Sequence, residues 1–498
     1  MGIIQKASIR LTIFSYAGAA LGYFNKVLLF TNFLSLEQVG LINVLNNISV
    51  LYAQVATLGI TTVSIRFFPY FQDKEKQHHG FLFWCNLVIT IGFLFATVLF
   101  IFLKPLFILH YSANSPLLVD FYYYNIPLAV GILYFQFLES YLRALLKTGV
   151  ATFTYELIGR ILVTVIIALY ALKFINFHLF VILYVLGNCL LALVLMVYTI
   201  YLKQFFIKPL KSVKFNRFLK IIMVYGIFTI MSALGGTILV SIDSLMVSAK
   251  LSLGQAGIYT TVFLIATVMT LPYRSIQKIA HPVIARYWKE KDMKGMTDLY
   301  QKASLIDMVL GGLLFLGLWV NIDSIFRFMP KDYYTAKYTF LLLAFSKYID
   351  MATGLNGYII VTSKKYRSDL WFMLLLIIAT VVLNLIFIPI YGITGAALAT
   401  LISITLYNVL RLIFVYYYYR MQPFTLNCLW VLLITVIVWA IASQIPRMHN
   451  KYFDIVVKST VMVVLYGGAV LYFKLSSDVN DLIYSYTKIR FFAPKNKS

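Results

Sequence analysis

Leu34-Ser35-Leu36-Glu37-Gln38-Val39-Gly40 returns 217 residues later as Leu251-Ser252-Leu253-Gly254-Gln255-Ala256-Gly257, with five of the seven positions identical. The same offset, without a gap, pairs Gly18 with Gly235 inside the hydrophobic segment that precedes each copy. The match therefore extends beyond one short motif and indicates an internal duplication. Membrane transporters are often built from such repeats, with the substrate site between them.

The composition is that of a polytopic membrane protein. Of the 498 residues, 61% are hydrophobic and 12% are charged, whereas about a quarter of a soluble domain is charged. Apolar runs of roughly 20 residues, enough to cross a bilayer as helices, predict an all-α fold. The fourteen predicted spans are 9–30, 40–60, 80–103, 119–142, 148–171, 176–202, 221–242, 255–272, 304–326, 338–362, 369–389, 394–417, 425–445 and 453–473.

The positive charges predict the orientation, because cytoplasmic loops retain Lys and Arg. Of the 42 basic residues, 30 fall in the segments placed inside, 8 in outside loops and 4 within spans. Both termini are therefore predicted to be cytoplasmic. The net charge of +24 is spread over eight inner segments, so the expected partner is anionic lipid of the inner leaflet and not nucleic acid.

The duplication divides the chain into two lobes of six spans each. An even number of spans gives both lobes the same orientation, so the repeats are predicted to be parallel. The predicted boundaries are an N-lobe at 1–202, a basic cytoplasmic linker at 203–217, a C-lobe at 218–420, an extra hairpin at 421–475 and a basic cytoplasmic tail at 476–498.

No enzymatic chemistry is predicted. The loops are too short for a soluble catalytic domain, the three cysteines fall within spans, and the six histidines lack metal-ligand spacing, so no metal or cofactor is expected. Small residues at Gly18, Gly22, Gly235 and Gly236 predict close helix packing.

Charges inside the spans need partners, since each costs roughly 2.5–3.5 kcal/mol at the bilayer centre. Spacings of three or four residues place opposite charges on one helix face. The predicted pairs are Arg160 with Glu156, Lys458 with Asp454, Lys347 with Asp350 and Arg143 with Glu139. Such pairs are explained by helix insertion alone, although Arg160 and Lys347 stay candidates for substrate binding or gating.

Lys26 and Asp243 lack an opposite charge within one turn, and the 217-residue offset makes them equivalent positions of the two repeats. Lys26 also shares a helix face with Gly22 and Gly18, at spacings of four and eight residues. Three interpretations are open for Lys26. It snorkels to the interface, it forms a gate with Asp243 in one conformation, or it contacts an anionic substrate.

Three stretches resemble a known family: 240–246 (VSIDSLM), 251–259 (LSLGQAGIY) and 384–400 (NLIFIPIYGITGAALAT). They are similar to Wzx-type oligosaccharide flippases of the multidrug/oligosaccharidyl-lipid/polysaccharide exporter superfamily. The resemblance implies two six-helix lobes forming a V around a cavity that is lined partly by spans one and seven.

The resemblance also implies a function. The substrate would be a polyprenyl-diphosphate-linked oligosaccharide, turned from the inner to the outer leaflet of the bacterial cytoplasmic membrane for surface polysaccharide such as O-antigen or capsule. Polysaccharide polymerase and assembly proteins would be partners. The sequence leaves coupling to protons, sodium or membrane potential open.

Other functions remain possible at this level. A multidrug antiporter would export amphipathic cations, for which a cationic cavity residue is unfavourable. A lipid II flippase shares the fourteen-span layout. A membrane glycan polymerase or ligase usually needs a large outer loop, and the outer loops here are short. A scaffold without transport would leave Lys26 and Asp243 without a purpose.

Overall fold

The computed structural model describes residues 14–209, 213–475 and Asn480. Contacts divide the chain into two compact units, Met1–Thr261 and Val262–Ser498. Within the described residues every regular element is a helix, so the predicted all-α fold class is confirmed. A bilayer favours this solution because a helix satisfies its own backbone hydrogen bonds.

Eleven helices other than short 3-10 turns are numbered in the described residues of the first unit, and the last of them continues into the second unit. They are α1 (14–33), α2 (Leu36–Ala56), α3 (Ile60–Phe71), α4 (Phe81–Phe102), α5 (Lys104–Tyr111), α6 (Pro116–Asp120), α7 (Asn125–Ala144), α8 (Thr148–Ala171), α9 (Phe177–Tyr201), α10 (Val213–Lys250) and α11 (Leu253–Thr267).

The second unit contains the remaining helices. They are α12 (Thr270–Glu290), α13 (Met293–Phe326), α14 (Lys337–Ala352), α15 (Asn356–Thr362), α16 (Arg367–Tyr419), α17 (Leu426–Ser443) and α18 (Lys451–Tyr472). Helix α16 is 53 residues long and is broken at Gly392, where φ is 60° and ψ is −138°. Glycine adopts this backbone conformation without steric cost, so the break lies between the two spans predicted at 369–389 and 394–417.

Nine helices in the described part of the chain are long and apolar enough to cross a membrane, or ten if the bent pair α11 and α12 forms one span. The number fourteen is not confirmed. The predicted span at 338–362 is divided between α14 and α15, and the span at 9–30 begins before the described residues.

The lobe boundaries predicted from the duplication remain a prediction. Along the chain, the boundary between the compact units falls after Thr261. Helix α10 and the start of α11 are therefore grouped with the first six predicted spans. The predicted tail at 476–498 lies outside the described residues apart from Asn480.

The repeated motif starts a helix in the same way in both copies. The Ser35 hydroxyl accepts from the Gln38 backbone N–H at 3.3 Å, and the Gln38 side chain accepts from the Ser35 N–H at 2.9 Å. In the second copy the Ser252 hydroxyl accepts from the Gln255 N–H at 3.1 Å. Each serine thus satisfies a backbone donor that the first turn leaves open.

The glycine that ends the motif allows α2 and α11 to cross at contact distance. A Cβ on Gly257 would lie 2.6 Å from the Leu36 carbonyl oxygen and 2.9 Å from the Gly40 nitrogen. A Cβ on Gly40 would overlap the carbonyl oxygen of Leu253. Gly40 and Gly257, like Leu36 and Leu253, are related by the 217-residue offset. The crossing is therefore symmetric, as expected at the axis of a duplication.

This crossing gives a stability prediction. Gly257→Ala should destabilise the protein by about 1–3 kcal/mol, because backbone atoms surround the added methyl group and cannot move cheaply. Thermal unfolding of the purified protein in detergent measures the effect. Gly149→Ala is the control, since a Cβ there meets nothing within 4 Å. Equal melting temperatures for the two variants would contradict the close crossing.

The C-terminal hairpin of α17 and α18 packs on α13. Its core includes Leu316, Val431 and Met462. The ammonium of Lys458 donates to Asp454 at 3.0 Å inside this core, and Ser324 of α13 donates to the same carboxylate. The hairpin is thus joined to α13 by apolar contacts and by one buried polar group.

Candidate functional site

Helix α1 contains a π-helical segment, Phe24–Leu29, which carries Asn25 and Lys26. Segments of this kind often occur at functional sites because they rotate side chains away from the regular helical positions. Helix α8 holds this one in place: the Asn25 amide donates to the Arg160 carbonyl oxygen at 2.8 Å. The Thr164 hydroxyl donates to the Asn25 side-chain oxygen at 2.8 Å.

Helix α8 has a π-helical segment of its own, Thr154–Ile158, which carries Glu156. The glycines predicted to mediate packing in α1 face this helix. A Cβ on Gly18 would lie 2.5 Å from the Glu156 Cβ, and one on Gly22 would lie 3.2 Å from the Arg160 guanidinium carbon. In α10, Gly235 is buried and Gly236 is half-buried.

Two cations lie at the junction of α1 and α8. The Lys26 ammonium, within electrostatic reach of Arg160, donates to the Asn43 side-chain oxygen at 3.4 Å. Arg160 Nη2 lies 4.0 Å from the Glu156 carboxylate, and its buried Nε has no hydrogen-bond partner among the described residues. Two neighbouring cations with an unused donor suit a phosphate-bearing ligand.

Asp243 does not pair with Lys26 in this structure. Its carboxylate is 3% exposed and accepts from the Tyr259 hydroxyl at 2.7 Å. None of the ion pairs found among the described residues joins it to Lys26. The Asn43 amide instead donates to the Thr260 hydroxyl at 3.0 Å.

The contact between Asn43 and Thr260 has the symmetry of the duplication, because the two residues are related by the 217-residue offset. A chain of hydrogen bonds runs from Lys26 through Asn43 to Thr260, and Asp243 bonds to the residue before Thr260. This bridge is not among the contacts predicted from the sequence. Applying the same offset to Asn43 would have suggested it.

A cavity of about 450 Å³ opens within the first unit, a size typical of small-molecule sites. Glu156 lies in its wall and also approaches Arg160 at 4.0 Å, so the Arg160 side chain lies just behind the cavity wall. The polar and aromatic lining residues are Ser15, Asn46, Phe135, Gln136, Glu139, Thr152, Tyr155, Glu156 and Asn188. None of these was predicted from the sequence to be a site residue; Glu139 and Glu156 were predicted only as the partners of Arg143 and Arg160 in intrahelical charge pairs.

Three of the four predicted intrahelical charge pairs are present. Arg143 pairs with Glu139 at 2.6 Å, Lys458 with Asp454 at 3.0 Å and Arg160 with Glu156 at 4.0 Å.

Lys347 and Asp350 do not form the fourth predicted pair. The Lys347 ammonium lies 4.6 Å from the centroid of the Phe263 ring, and Asp350 accepts from the Asn408 amide at 3.1 Å. Lys347 belongs to the second unit, and Lys26, Arg160 and Asp243 belong to the first.

Solved structures of membrane transporters share this fold. The lipid II flippase MurJ in an inward closed conformation superposes with a TM-score of 0.76 at 16% identity, covering 95% of this chain and 100% of that one. A multidrug resistance MATE family transporter of the MOP superfamily, in an inward-facing conformation, gives 0.61 at 13% identity, covering 83% and 98%. A MOP superfamily transporter from Pyrococcus furiosus gives 0.54 at 14% identity, covering 83% and 96%.

Sequence comparison identifies the family. No curated protein matches the chain. The family model described as polysaccharide biosynthesis protein matches residues 5–288, which is more than half of the 498 residues. The match includes both copies of the repeated motif, α1 and α8. Its fold is similar to that of a flippase and of a transporter of the MOP superfamily. This multi-pass membrane protein therefore belongs to the polysaccharide biosynthesis protein family.

Proposed function

We propose that the protein flips a polyprenyl-diphosphate-linked oligosaccharide from the cytoplasmic to the outer leaflet during surface polysaccharide synthesis. The family match and the fold shared with MurJ support a flippase. Precursors of O-antigen, capsule and exopolysaccharide all meet the requirement of a polyprenyl-diphosphate-linked oligosaccharide and are candidate substrates.

The observation that carries this proposal is the pair of cations at the junction of α1 and α8, of which Arg160 approaches Glu156 in the wall of a polar cavity in the first unit. A diphosphate crossing the membrane must exchange water for hydrogen-bond donors, which Lys26 and Arg160 provide. A sugar needs amides, carboxylates and an aromatic face, and Asn46, Gln136 and Tyr155 contribute to such a lining. In this proposal the cations bind the diphosphate while the cavity holds part of the glycan.

Alternating access completes the proposed mechanism. The hydrogen bond between Asn43 and Thr260 joins equivalent positions of the two repeats. In the proposed cycle this bond breaks when the lobes move. Lys26 and Asp243 then form the gate in the opposite conformation. Lys347 is a further candidate for contact with the substrate from the second unit.

Two other transport functions are compatible with the fold. A lipid II flippase would use the same diphosphate chemistry with a different sugar, and MurJ has a high structural similarity to this chain. A multidrug antiporter would bind organic cations, to which Glu139 and Glu156 of the cavity are suited. Lys26 and Arg160 disfavour such a ligand by repulsion.

We also propose the cellular setting that this function requires. The protein would lie in the bacterial inner membrane with both termini in the cytoplasm, as the distribution of Lys and Arg predicts. Its partners would be a polysaccharide polymerase and assembly proteins that act on the outer leaflet.

Deletion of the gene provides the first test. Polyprenyl-linked glycan should accumulate facing the cytoplasm while surface polysaccharide disappears, and mass spectrometry of the lipid extract would identify the sugar. Re-expression of the wild-type chain is the control. Normal surface glycan with new sensitivity to cationic drugs would support the antiporter, and accumulation of lipid II would support the alternative flippase.

A further inference from the structure

Asp307, in the middle of α13, is a carboxyl group that the proposed mechanism does not use. Its side chain is 0% exposed, and neither carboxylate oxygen has a hydrogen-bond partner among the described residues. An ionised carboxylate without a hydrogen bond is costly inside a membrane protein. The position therefore requires a bound proton or cation.

The packing around Asp307 leaves little room for a hydrated ion. One turn before it, the Ser304 hydroxyl donates to the Ala352 carbonyl oxygen of α14 at 2.5 Å. One turn after it, a Cβ on Gly311 would lie 3.0 Å from the Tyr348 ring of the same helix. Helices α13 and α14 are thus in close contact on both sides of the carboxyl group.

Asp350 of α14 is the acidic neighbour within electrostatic reach of Asp307. Its carboxylate accepts from the Asn408 amide at 3.1 Å. The Asn408 oxygen accepts from Thr353 at 2.9 Å and from Asn356 at 3.3 Å, which directs the NH₂ group of Asn408 toward Asp350. Asp350 therefore has a donor that stabilises its charge, whereas no described residue donates to Asp307.

The other titratable groups around Asp307 do not neutralise it. Arg411 of α16 donates twice to Asp369, at 2.9 and 2.5 Å, so its charge is already matched. Tyr273 of α12, within electrostatic reach of Asp307, donates to the Gly354 carbonyl oxygen at 3.1 Å. Cys428 of α17 and Tyr466 of α18 lie close to Tyr348, whose ring contacts α13 at Gly311. A protonated thiol and a protonated phenol carry no charge, so neither neutralises Asp307.

We propose that Asp307 is a proton-binding site of the second unit, in which Asp307 carries the proton and Asp350 stays ionised. Two carboxyl groups within electrostatic reach of each other, one of them fully buried, do not both ionise readily, and the hydrogen bonds assign the charge to Asp350. The step is an acid dissociation: the O–H bond of Asp307 breaks, the proton passes to water, and the electron pair remains on the carboxylate. Use of this proton to drive the transport cycle rests on the proposed function, whereas its binding does not.

A proton suits the geometry better than a metal ion does. Among the described residues, no three or more His, Cys, Asp or Glu side chains are grouped so that they could hold a metal. Hard cations require six or more oxygen ligands, and in the part of the chain that the structure describes Asp307 has no hydrogen-bond partner. A proton needs only one carboxylate oxygen.

Infrared difference spectroscopy of the purified full-length protein tests the proposal. A protonated carboxyl group in a dry site gives a carbonyl band at neutral pH, which should vanish in Asp307→Asn. Asp323→Asn is the matched control on the same helix, because Asp323 is already paired with Lys337 at 2.8 Å and should contribute no such band. The band should therefore persist in the Asp323 variant.

Two further variants keep the test decisive if Asp307→Asn folds poorly. Asp307→Glu should retain a shifted carbonyl band. Asp350→Asn should move the titration of the band to lower pH, because the neighbouring negative charge is removed. A band that is unchanged in Asp307→Asn would overturn proton binding at this residue. A band that is lost when sodium is added at constant pH would show that sodium displaces the proton and would overturn the preference for a proton over a metal ion.

Transport measurements then separate the proton site from the proposed function. If the protein is a flippase, a pH gradient across proteoliposomes should change the flipping rate of the wild type and of Asp323→Asn but not of Asp307→Asn. Absence of any flipping with an intact carbonyl band would refute the proposed function and leave the proton site. Equal responses to the gradient in the wild type and Asp307→Asn would refute its coupling role.

Discussion

Lys26→Ala should slow flipping of a polyprenyl-diphosphate-linked substrate in proteoliposomes by about 10- to 100-fold. The variant removes one charge-assisted hydrogen bond, which contributes about 1.5–3 kcal/mol, and each 1.4 kcal/mol corresponds to about tenfold in rate. Lys26→Arg should retain part of the activity, because it keeps the positive charge while changing the geometry of its donors.

The control for this prediction is Lys331→Ala, which removes the same charge from an exposed position and should leave the rate unchanged. Arg160→Ala should resemble Lys26→Ala if both cations contact the diphosphate. Equal flipping by Lys26→Ala and Lys26→Arg would exclude an electrostatic role and favour the snorkelling interpretation. Thermal unfolding of each variant separates loss of function from loss of folding.

A disulfide between Asn43→Cys and Thr260→Cys should abolish transport, and a reducing agent should restore it. The two side chains are in contact at 3.0 Å, which makes them candidates for a crosslink. If the lobes rock about the repeat axis, a covalent bond at this axis holds the protein in one conformation. The measurement is flipping before and after reduction, in a background that lacks Cys85, Cys189 and Cys428.

A second cysteine pair tests the gate. Cysteines at positions 26 and 243 should crosslink only in the opposite conformation, because Lys26 contacts Asn43 and Asp243 contacts Tyr259 in this one. For the first cysteine pair, full transport activity while the 43–260 disulfide is intact would show that the contact between positions 43 and 260 does not open during transport. Failure of 26 and 243 to crosslink under any condition would contradict the gate.

The sequence predicted the fold class because that prediction depends on local composition. Long apolar runs with few charges require helices in a membrane. The resemblance to the family depended instead on three local stretches, 240–246, 251–259 and 384–400. The sequence predicted the ion pairs Arg143–Glu139 and Lys458–Asp454 for a similar reason. Residues three or four apart are neighbours on any helix.

The failure of the Lys347 prediction shows the limit of this local rule. Lys347 and Asp350 are three residues apart, but each has a different neighbour provided by another segment, Phe263 for Lys347 and Asn408 for Asp350. A helical spacing shows which residues can meet. The choice among possible partners depends on what the adjacent helices present.

The duplicated motif by itself determined where α2 and α11 begin and that each carries a glycine, Gly40 in α2 and Gly257 in α11. Only the tertiary structure decided that Gly40 contacts Gly257, that Asn43 bonds Thr260 and that Asp307 is buried without a hydrogen-bond donor from any residue the structure describes. These contacts depend on how each helix is rotated and where it crosses its neighbours. Such rotation changes at π-helical segments and glycine contacts, so a linear pattern with a regular period does not reveal it.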